Sequence, residues 1–250
     1  MRASNENIHV NYNQQVVQIE DDPLIVETPD IASETYVSPL EVDDTPVIIF
    51  DWDDTLFPTS FLANLGLHIE GPDAPPEIQT KLDFFSECMI ATVNQAREYG
   101  RVVIVTNAET GWVELTAAKF LPLVATEICK LPILSARSTF EPRGFVKPLE
   151  WKEQAFAFVL ESHMAQVDSF KGCMWSIGDS IHERDAVIRV CEIANLPYKS
   201  VKLMDRPDLT VLYRQHVLVQ KNMRDMTSTS EPLDVRVQLV PQPASKHALI

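Results

Sequence analysis

A doubly wound, Rossmann-like α/β fold, with a parallel sheet between two layers of helices, is the architecture the sequence predicts. Short, continuous apolar runs rich in β-branched residues alternate with longer segments whose apolar residues recur at helical spacing. The unusual polar residues gather where the apolar runs end, which is where ligands sit in such sheets. Hydrophobic residues make up 45% of the 250, enough to bury a core of that kind.

In chain order, Val47-Ile48-Ile49-Phe50 reads as a fully buried parallel strand. Ile78 to Tyr99 follows as a helix, with Leu82, Phe85, Met89, Val93 and Ala96 on one face and Gly100 as its stop. Val102–Val105 is the second strand, and Trp112 to Phe120 a short helix closed by Pro122. Ile133-Leu134 gives a short third strand, and Trp151 to about Ala165 a helix with Ala155, Phe158 and Val159 on one side. Met174–Ile177, Arg184–Asn195, Ser200–Met204 and Leu209 to about Met223 complete the alternation as strand, helix, strand and helix. No internal repeat is visible.

Residues 1–44 are rich in Asn, Gln, Asp, Glu, Thr and Pro, with small apolar patches at Val16-Val17 and Leu24-Ile25-Val26. They bury too little to offset ordering entropy and predict a disordered tail. Residues 226–250 predict a second, flexible tail, although Val235, Val237 and Leu239 alternate in a way that suits an edge strand. One catalytic-sized domain over 45–225 lies between them. The formal net charge of −15 argues against non-specific binding to nucleic acid or to an anionic membrane. The four cysteines show no metal-ligand or CxxC spacing and read as reduced core thiols. With no apolar stretch near the ~20 residues of a membrane span, and no leader-like start, the expectation is a cytoplasmic protein, with the nucleus also open to it.

The strongest chemical signal is Phe50-Asp51-Trp52-Asp53-Asp54-Thr55, where an apolar strand runs directly into carboxylates. Crowded carboxylates repel one another unless a cation or proton offsets them, and an all-oxygen set suits Mg²⁺. An acidic turn capping the next helix through Asp54 or Thr55 is the plainer alternative. Asp179 ends another apolar run in Ile177-Gly178-Asp179-Ser180, and Glu183 follows four residues later. Those acids either add oxygen ligands or dress a helix N-terminus to suit its dipole. Thr106-Asn107 ends the Val102–Val105 strand with a hydroxyl and an amide able to hold a phosphoryl oxygen. Lys147 and Lys152 stand ahead of the Asp179 strand, and either can supply a neutralising point charge. Trp52 reads as core packing, and Arg137 and Arg143 as solvated.

Taken in order, the Asp51-Trp52-Asp53-Asp54-Thr55 run, Thr106 after an apolar strand, an upstream lysine and Gly178-Asp179-Ser180 with Glu183 resemble the phosphatase branch of the haloacid dehalogenase superfamily. The resemblance spans roughly residues 46–205. It implies that Asp51 is a nucleophile forming an aspartyl-phosphate, and that Asp53 is the general acid and base whose backbone carbonyl also binds Mg²⁺. It further implies that Asp179 is a metal ligand, that Thr106 and Asn107 meet the phosphoryl group, and that a lysine steadies Asp51. Glu183 departs from the aspartate common in that family and implies a longer or water-mediated reach to the metal. Both lysines fit: Lys147-Pro148 matches a common form, but Lys152, which opens the helix and lies nearer the usual distance upstream of Asp179, is the favoured one.

Residues 58–77 and 107–150 leave no room for a cap domain, so an open active site is expected, on a phosphorylated small molecule or a phosphoprotein. The competing readings are an idle binding module on the same fold, a phosphotransferase such as a phosphomutase, and a receiver-like domain.

Overall fold

The computed structural model describes residues 7–12, 15–17, 43–167 and 169–240, with side chains over 43–167 and 169–238. One sheet contains β1 (Asn7–Tyr12), β2 (Gln15–Val17), β3 (Val47–Phe50), β4 (Arg101–Thr106), β5 (Ile133–Ser135), β6 (Met174–Gly178), β7 (Tyr198–Lys202) and β8 (Leu233–Val240). Their spatial order is β2-β1-β8-β7-β6-β3-β4-β5. The six strands from β8 to β5 are parallel throughout, while β1 pairs antiparallel with β8 and β2 antiparallel with β1. The helices are α1 (Thr59–Asn64), α2 (Pro76–Tyr99), α3 (Trp112–Phe120), α4 (Ala125–Ile128), α5 (Ala136–Phe140), α6 (Pro148–Met164), α7 (Ile181–Ala194) and α8 (Leu209–Ser228). The expected doubly wound α/β/α fold is the one observed.

Strand alternation divides the continuous apolar runs between two cores. Ile48, Phe50, Val102, Ile104, Trp175 and Ile177 pack with α2, α3 and α8 on one face. Val47, Ile49, Val103, Val105 and Met174 pack with α5, α6 and α7 on the other. From β3 the chain winds outward through β4 to β5, then returns to β6 on the opposite side of β3. The carboxyl ends of β3 and β6 therefore flank the point where the winding reverses, the usual ligand crevice of such sheets. Gly100, at the end of α2, has extended φ, and its role is close approach: a Cβ there would lie 2.3 Å from the Pro46 carbonyl oxygen.

Several boundaries are corrected. The segment after residue 225 is part of the fold: α8 continues to Ser228, and Leu233, Val235 and Val237 are buried in β8, which lies between β7 and β1. Buried Lys199 ties this return down, donating to the carbonyls of Thr229 and Glu231. At the other end, β1 and β2 fall within the stretch expected to be a tail. The Leu24–Val26 patch and residues 241–250 lie outside the described residues. The strand expected at Ser200–Met204 starts two residues earlier, at Tyr198, because Lys199 and Lys202 lie in it with buried stems. The buried face of α6 is Trp151, Lys152, Ala155, Phe156 and Leu160, and Phe158 is exposed. The helix expected from Arg184 begins a turn sooner, after a Ser180 cap with Glu183 at its third position. The expected link over 58–77 contains α1. No described helix is long and apolar enough to cross a membrane.

One buried contact from α8 fixes the loop after β3. The His216 ring meets the Thr55 carbonyl through Nε2 at 2.9 Å and the Thr92 hydroxyl through Nδ1 at 2.9 Å. A carbonyl only accepts, so the ring's Nε2 carries the proton facing Thr55. Burial pushes its pKa down from 6.5 to about 4. The unfolded chain therefore binds the proton first, and stability is lost as pH falls from 6.5 through 4. Replacement by Phe orphans the Thr55 carbonyl. We expect His216→Phe to lower unfolding free energy at pH 7 by about 1–3 kcal/mol. The same variant should lose less stability than wild type between pH 6.5 and 4 in denaturant titrations.

Candidate functional site

The crevice between β3 and β6 gathers most of the polar residues singled out above. Asp51 is the first residue past β3, and its N–H donates to the Ile177 carbonyl of β6 at 2.9 Å, which locks the two strand ends in register. Trp52 then turns inward, fully buried, stacked on Phe57 at 5.6 Å between ring centroids and donating to the Thr116 hydroxyl. The Trp52 carbonyl accepts from the N–H groups of Leu56 and Phe57, so the chain doubles back and Asp54 takes a left-handed φ of 54°. Anchored in this way, the loop holds Asp51 and Asp53 at the rim of the sheet.

Lys152 supplies the site's buried counter-charge. It stands on the sheet-facing stripe of α6, 1% exposed, and its Nζ lies 2.7 Å from Asp51 Oδ1, 3.0 Å from Glu183 Oε1 and 2.7 Å from the Val105 carbonyl. Burial alone would push the ammonium pKa down, but Asp51 and Glu183 overcome it and hold the pKa above its ordinary value. Lys147, the other candidate, is corrected: it precedes the first turn of α6, is 74% exposed and pairs with Glu150 at 3.6 Å. The difference is helical phase, since only Lys152 lies on the stripe with Ala155 and Phe156.

Carboxylate oxygens of Asp51, Asp179 and Glu183 lie within 4.8 Å of one another. Opposite ligands of an octahedral Mg²⁺ stand about 4.2 Å apart, so one small divalent ion is within reach of the set after slight contraction. Glu183 is the most committed of the three: Oε1 faces Lys152, and Oε2 accepts from the Ser180 N–H at 2.9 Å, capping α7. It thus fills both roles considered for it, helix cap and site acid. Asp51 Oδ2 and both Asp179 oxygens accept no hydrogen bond among the described residues. These are the atoms an ion can take directly, leaving Glu183 to balance Lys152. Gly178 is required by Glu183 rather than by a turn, since a Cβ on it would meet the Glu183 Cγ at 2.6 Å.

Burial raises the Asp51 pKa to about 7, with Glu183 and Asp53 adding to it and Lys152 opposing. Burial likewise raises Asp179 to about 8, with Asp51, Glu183 and Asp54 adding and Lys202 opposing. This cluster holds more negative charge than its lysines neutralise, and an added cation or protons must supply the rest.

Asp53 stands apart from that triad. Its Oδ1 accepts from the Thr59 hydroxyl at 2.5 Å and from the Trp112 indole N–H at 2.9 Å, and its Oδ2 faces the Thr106 hydroxyl at 3.4 Å. Asp53 is therefore oriented by two donors on Oδ1, while Oδ2 has only the long contact with Thr106. Thr106 is fully buried and accepts from the Ala108 N–H, so its hydroxyl serves Asp53 and the turn instead of standing open to a phosphoryl group as expected. The Asn107 amide nitrogen donates to the Pro148 carbonyl at 3.3 Å, and its Oδ1 is buried with no partner among the described residues. Arg137 pairs with Glu141 and lies over Trp151, and Arg143 lies over Phe140. Sequence reasoning missed Thr59, Trp112 and Ser60, which donates to Asp54 through both N–H and hydroxyl. Nothing local marks them, because they meet the acids only through the fold. Lys202, which donates to the Asp179 carbonyl, was hidden in a strand whose start was misplaced.

No family model, no curated protein and no solved structure matches the chain.

The raised carboxylate values give a signed expectation. In metal-free protein the folded state retains protons that the unfolded chain releases near pH 3.8, so stability is lost as pH rises toward 8. His216 acts in the opposite sense only below 6.5. The melting temperature in EDTA should therefore fall between pH 6.5 and 8, and excess Mg²⁺ should raise it and flatten the slope. A slope that magnesium leaves unchanged would count against a cation site at these acids.

Proposed function

We propose that this chain is a magnesium-dependent phosphomonoester hydrolase of the haloacid dehalogenase type, working through an aspartyl-phosphate on Asp51. The observation that carries this reading is the division of labour between the two aspartates. Asp51 has one oxygen on Lys152 and the other without a hydrogen bond among the described residues, while Asp53 is held separately, with Oδ1 fixed by two donors and Oδ2 under only a long contact from Thr106. A nucleophile and an acid/base need that difference, and an inert acidic turn does not.

A carboxylate oxygen of Asp51 attacks phosphorus in line, forming the aspartyl-phosphate bond as the ester P–O bond breaks. Asp53, entering protonated, gives its proton to the departing alkoxide. As carboxylate it then takes a proton from water, whose oxygen attacks phosphorus. The P–O bond to Asp51 breaks, releasing inorganic phosphate, restoring the Asp51 carboxylate and leaving Asp53 protonated. Lys152 favours the ionised form of Asp51 against burial and offsets charge on the transferring group. Thr59 and Trp112 fix which Asp53 oxygen faces the leaving group, and Thr106 lies against that oxygen from the buried side. Magnesium held by Asp51 and Asp179 would supply charge neutralisation for the phosphoryl oxygens and lower the Asp51 pKa. No cap domain stands over the crevice among the described residues, so water exclusion falls to the substrate itself.

Hydrolysis of para-nitrophenyl phosphate tests the reading. Activity should require Mg²⁺, vanish with EDTA and be lost in Asp51→Asn; metal-dependent turnover that survives Asp51→Asn rules out the covalent route. Trp112→Phe keeps the ring and removes one donor to Asp53. It should lower kcat at least about tenfold, the effect of one hydrogen bond to a charged group, with little change in KM. An unchanged kcat and pH–rate profile in that variant would remove Trp112 from the positioning of Asp53.

A further inference from the structure

We infer that the cleft beside Asp179, below the overhanging part of β8, is a second anion subsite, and that the substrate is a phosphomonoester carrying another negatively charged group near the scissile phosphate. This rests on the phosphohydrolase reading of the Asp51 site.

The cleft has a volume of about 1180 Å³ and is lined by Asp54, Asp179, Lys202, Arg206, Arg236 and Gln238, among others. Asp179 belongs both to it and to the acidic triad, so a group seated at Asp51 opens directly into it. One phosphoryl group fills only a fraction of such a space, which is of the size that holds a whole ligand. Its architecture follows from the sheet. Lys202, the last residue of β7, pairs with Arg236, so Val237 to Val240 of β8 run on with no β7 partner, and Val237 and Gln238 of that overhang line the cleft. Val235 and Val237 are buried toward α8, and the alternate residues Arg236 and Gln238 are exposed on the other face.

Arg101, Arg137, Arg184 and Arg189 are each held by a polar or acidic side chain. Lys202 is consumed by the carbonyls of Asp179 and Leu203 and by the Asp205 carboxylate. Arg206 and Arg236 form no hydrogen bond or ion pair among the residues whose side chains are described, and both are exposed. In a chain of net charge −15, two exposed guanidinium groups with no hydrogen-bond or ion-pair partner among the described residues, one of them acting on Asp54 at longer range, give the cleft positive charge that favours an anion there. Arg206 also has a left-handed φ of 47°, immediately before Pro207. An arginine gains nothing from that backbone, which Gly or Asn adopts more readily, so the charge at this spot is the feature to explain.

The second anion can come from a peptide, as Glu or Asp beside a phosphorylated residue, or from a small bisphosphate. The experiment compares kcat/KM for a phosphoserine peptide flanked by Glu against the same peptide flanked by Gln, and for fructose 1,6-bisphosphate against fructose 6-phosphate. The anionic member of one pair should be favoured at least about tenfold, the effect of one charge-assisted hydrogen bond. Which pair responds identifies the source. The preference should fall to within about twofold in Arg206→Gln/Arg236→Gln, persist in Arg206→Lys/Arg236→Lys and be unaffected by Arg97→Gln on α2. A preference absent from both pairs in wild type, or unchanged in the double Gln variant, overturns the subsite. Para-nitrophenyl phosphate reads the phosphohydrolase activity separately. If it is not hydrolysed, calorimetric titration of the same four ligands decides: tighter binding of an anionic member, lost in the double Gln variant, sustains the subsite without turnover, and equal binding overturns it.

Discussion

A single buried ammonium organises this end of the molecule. Lys152 reaches from α6 across the ends of β3 and β4 to meet Asp51, Glu183 and the Val105 carbonyl, with almost no contact with water. Removing that charge would strand two carboxylates in a poorly solvated crevice, a far larger loss than any surface pair would cause. The arrangement also ties three chain segments together: the loop after β3, the middle of the α5–α7 face, and the first turn of α7. Stability and chemistry are thus bound to one contact, and neither can be altered independently at this position.

The remaining supports serve that contact from outside. Gly178 gives Glu183 room to lie against the strand end, and Ser180 with Glu183 caps the helix that carries it. His216 on the opposite face holds the Thr55 carbonyl, fixing the far side of the acidic loop, and Trp52 pins its interior. Contacts drawn from both helical layers converge on one short loop. That is how an excess of negative charge can be confined to a rim instead of dispersing into solvent.

Much of this was legible in the sequence because the signals were local. Four apolar residues running into Asp51, or into Gly178-Asp179, are a statement about strand ends that needs no knowledge of the fold. The preference for Lys152 over Lys147 rests on distance upstream of Asp179, and the helical phase with Ala155 and Phe156 agrees with it, although the apolar stripe expected on Phe158 and Val159 does not. What was not legible depends on distant pairing. Thr59 and Trp112 meet Asp53 only after α1 and α3 dock, and no spacing rule links positions 53 and 112. The alternating segment at Leu233–Val240 looked like an edge because its polar residues suit solvent. Its place inside the sheet is set by Lys199 and by a partner strand from the other end of the sequence. Thr106 carried the opposite lesson: its residue type and place were read correctly, but its hydroxyl faces inward.

The pairing of β1 with β8 joins residues near position 10 to residues near position 237. A ribosome delivers the β1 partner long before the β8 partner, so β7 stays an open border until β8 arrives. During that interval β7 offers unpaired backbone to any neighbouring chain, and Lys199 and Lys202 along it are the charges that discourage such contact. The lysines of the mature core thus double as guards of the unfinished one.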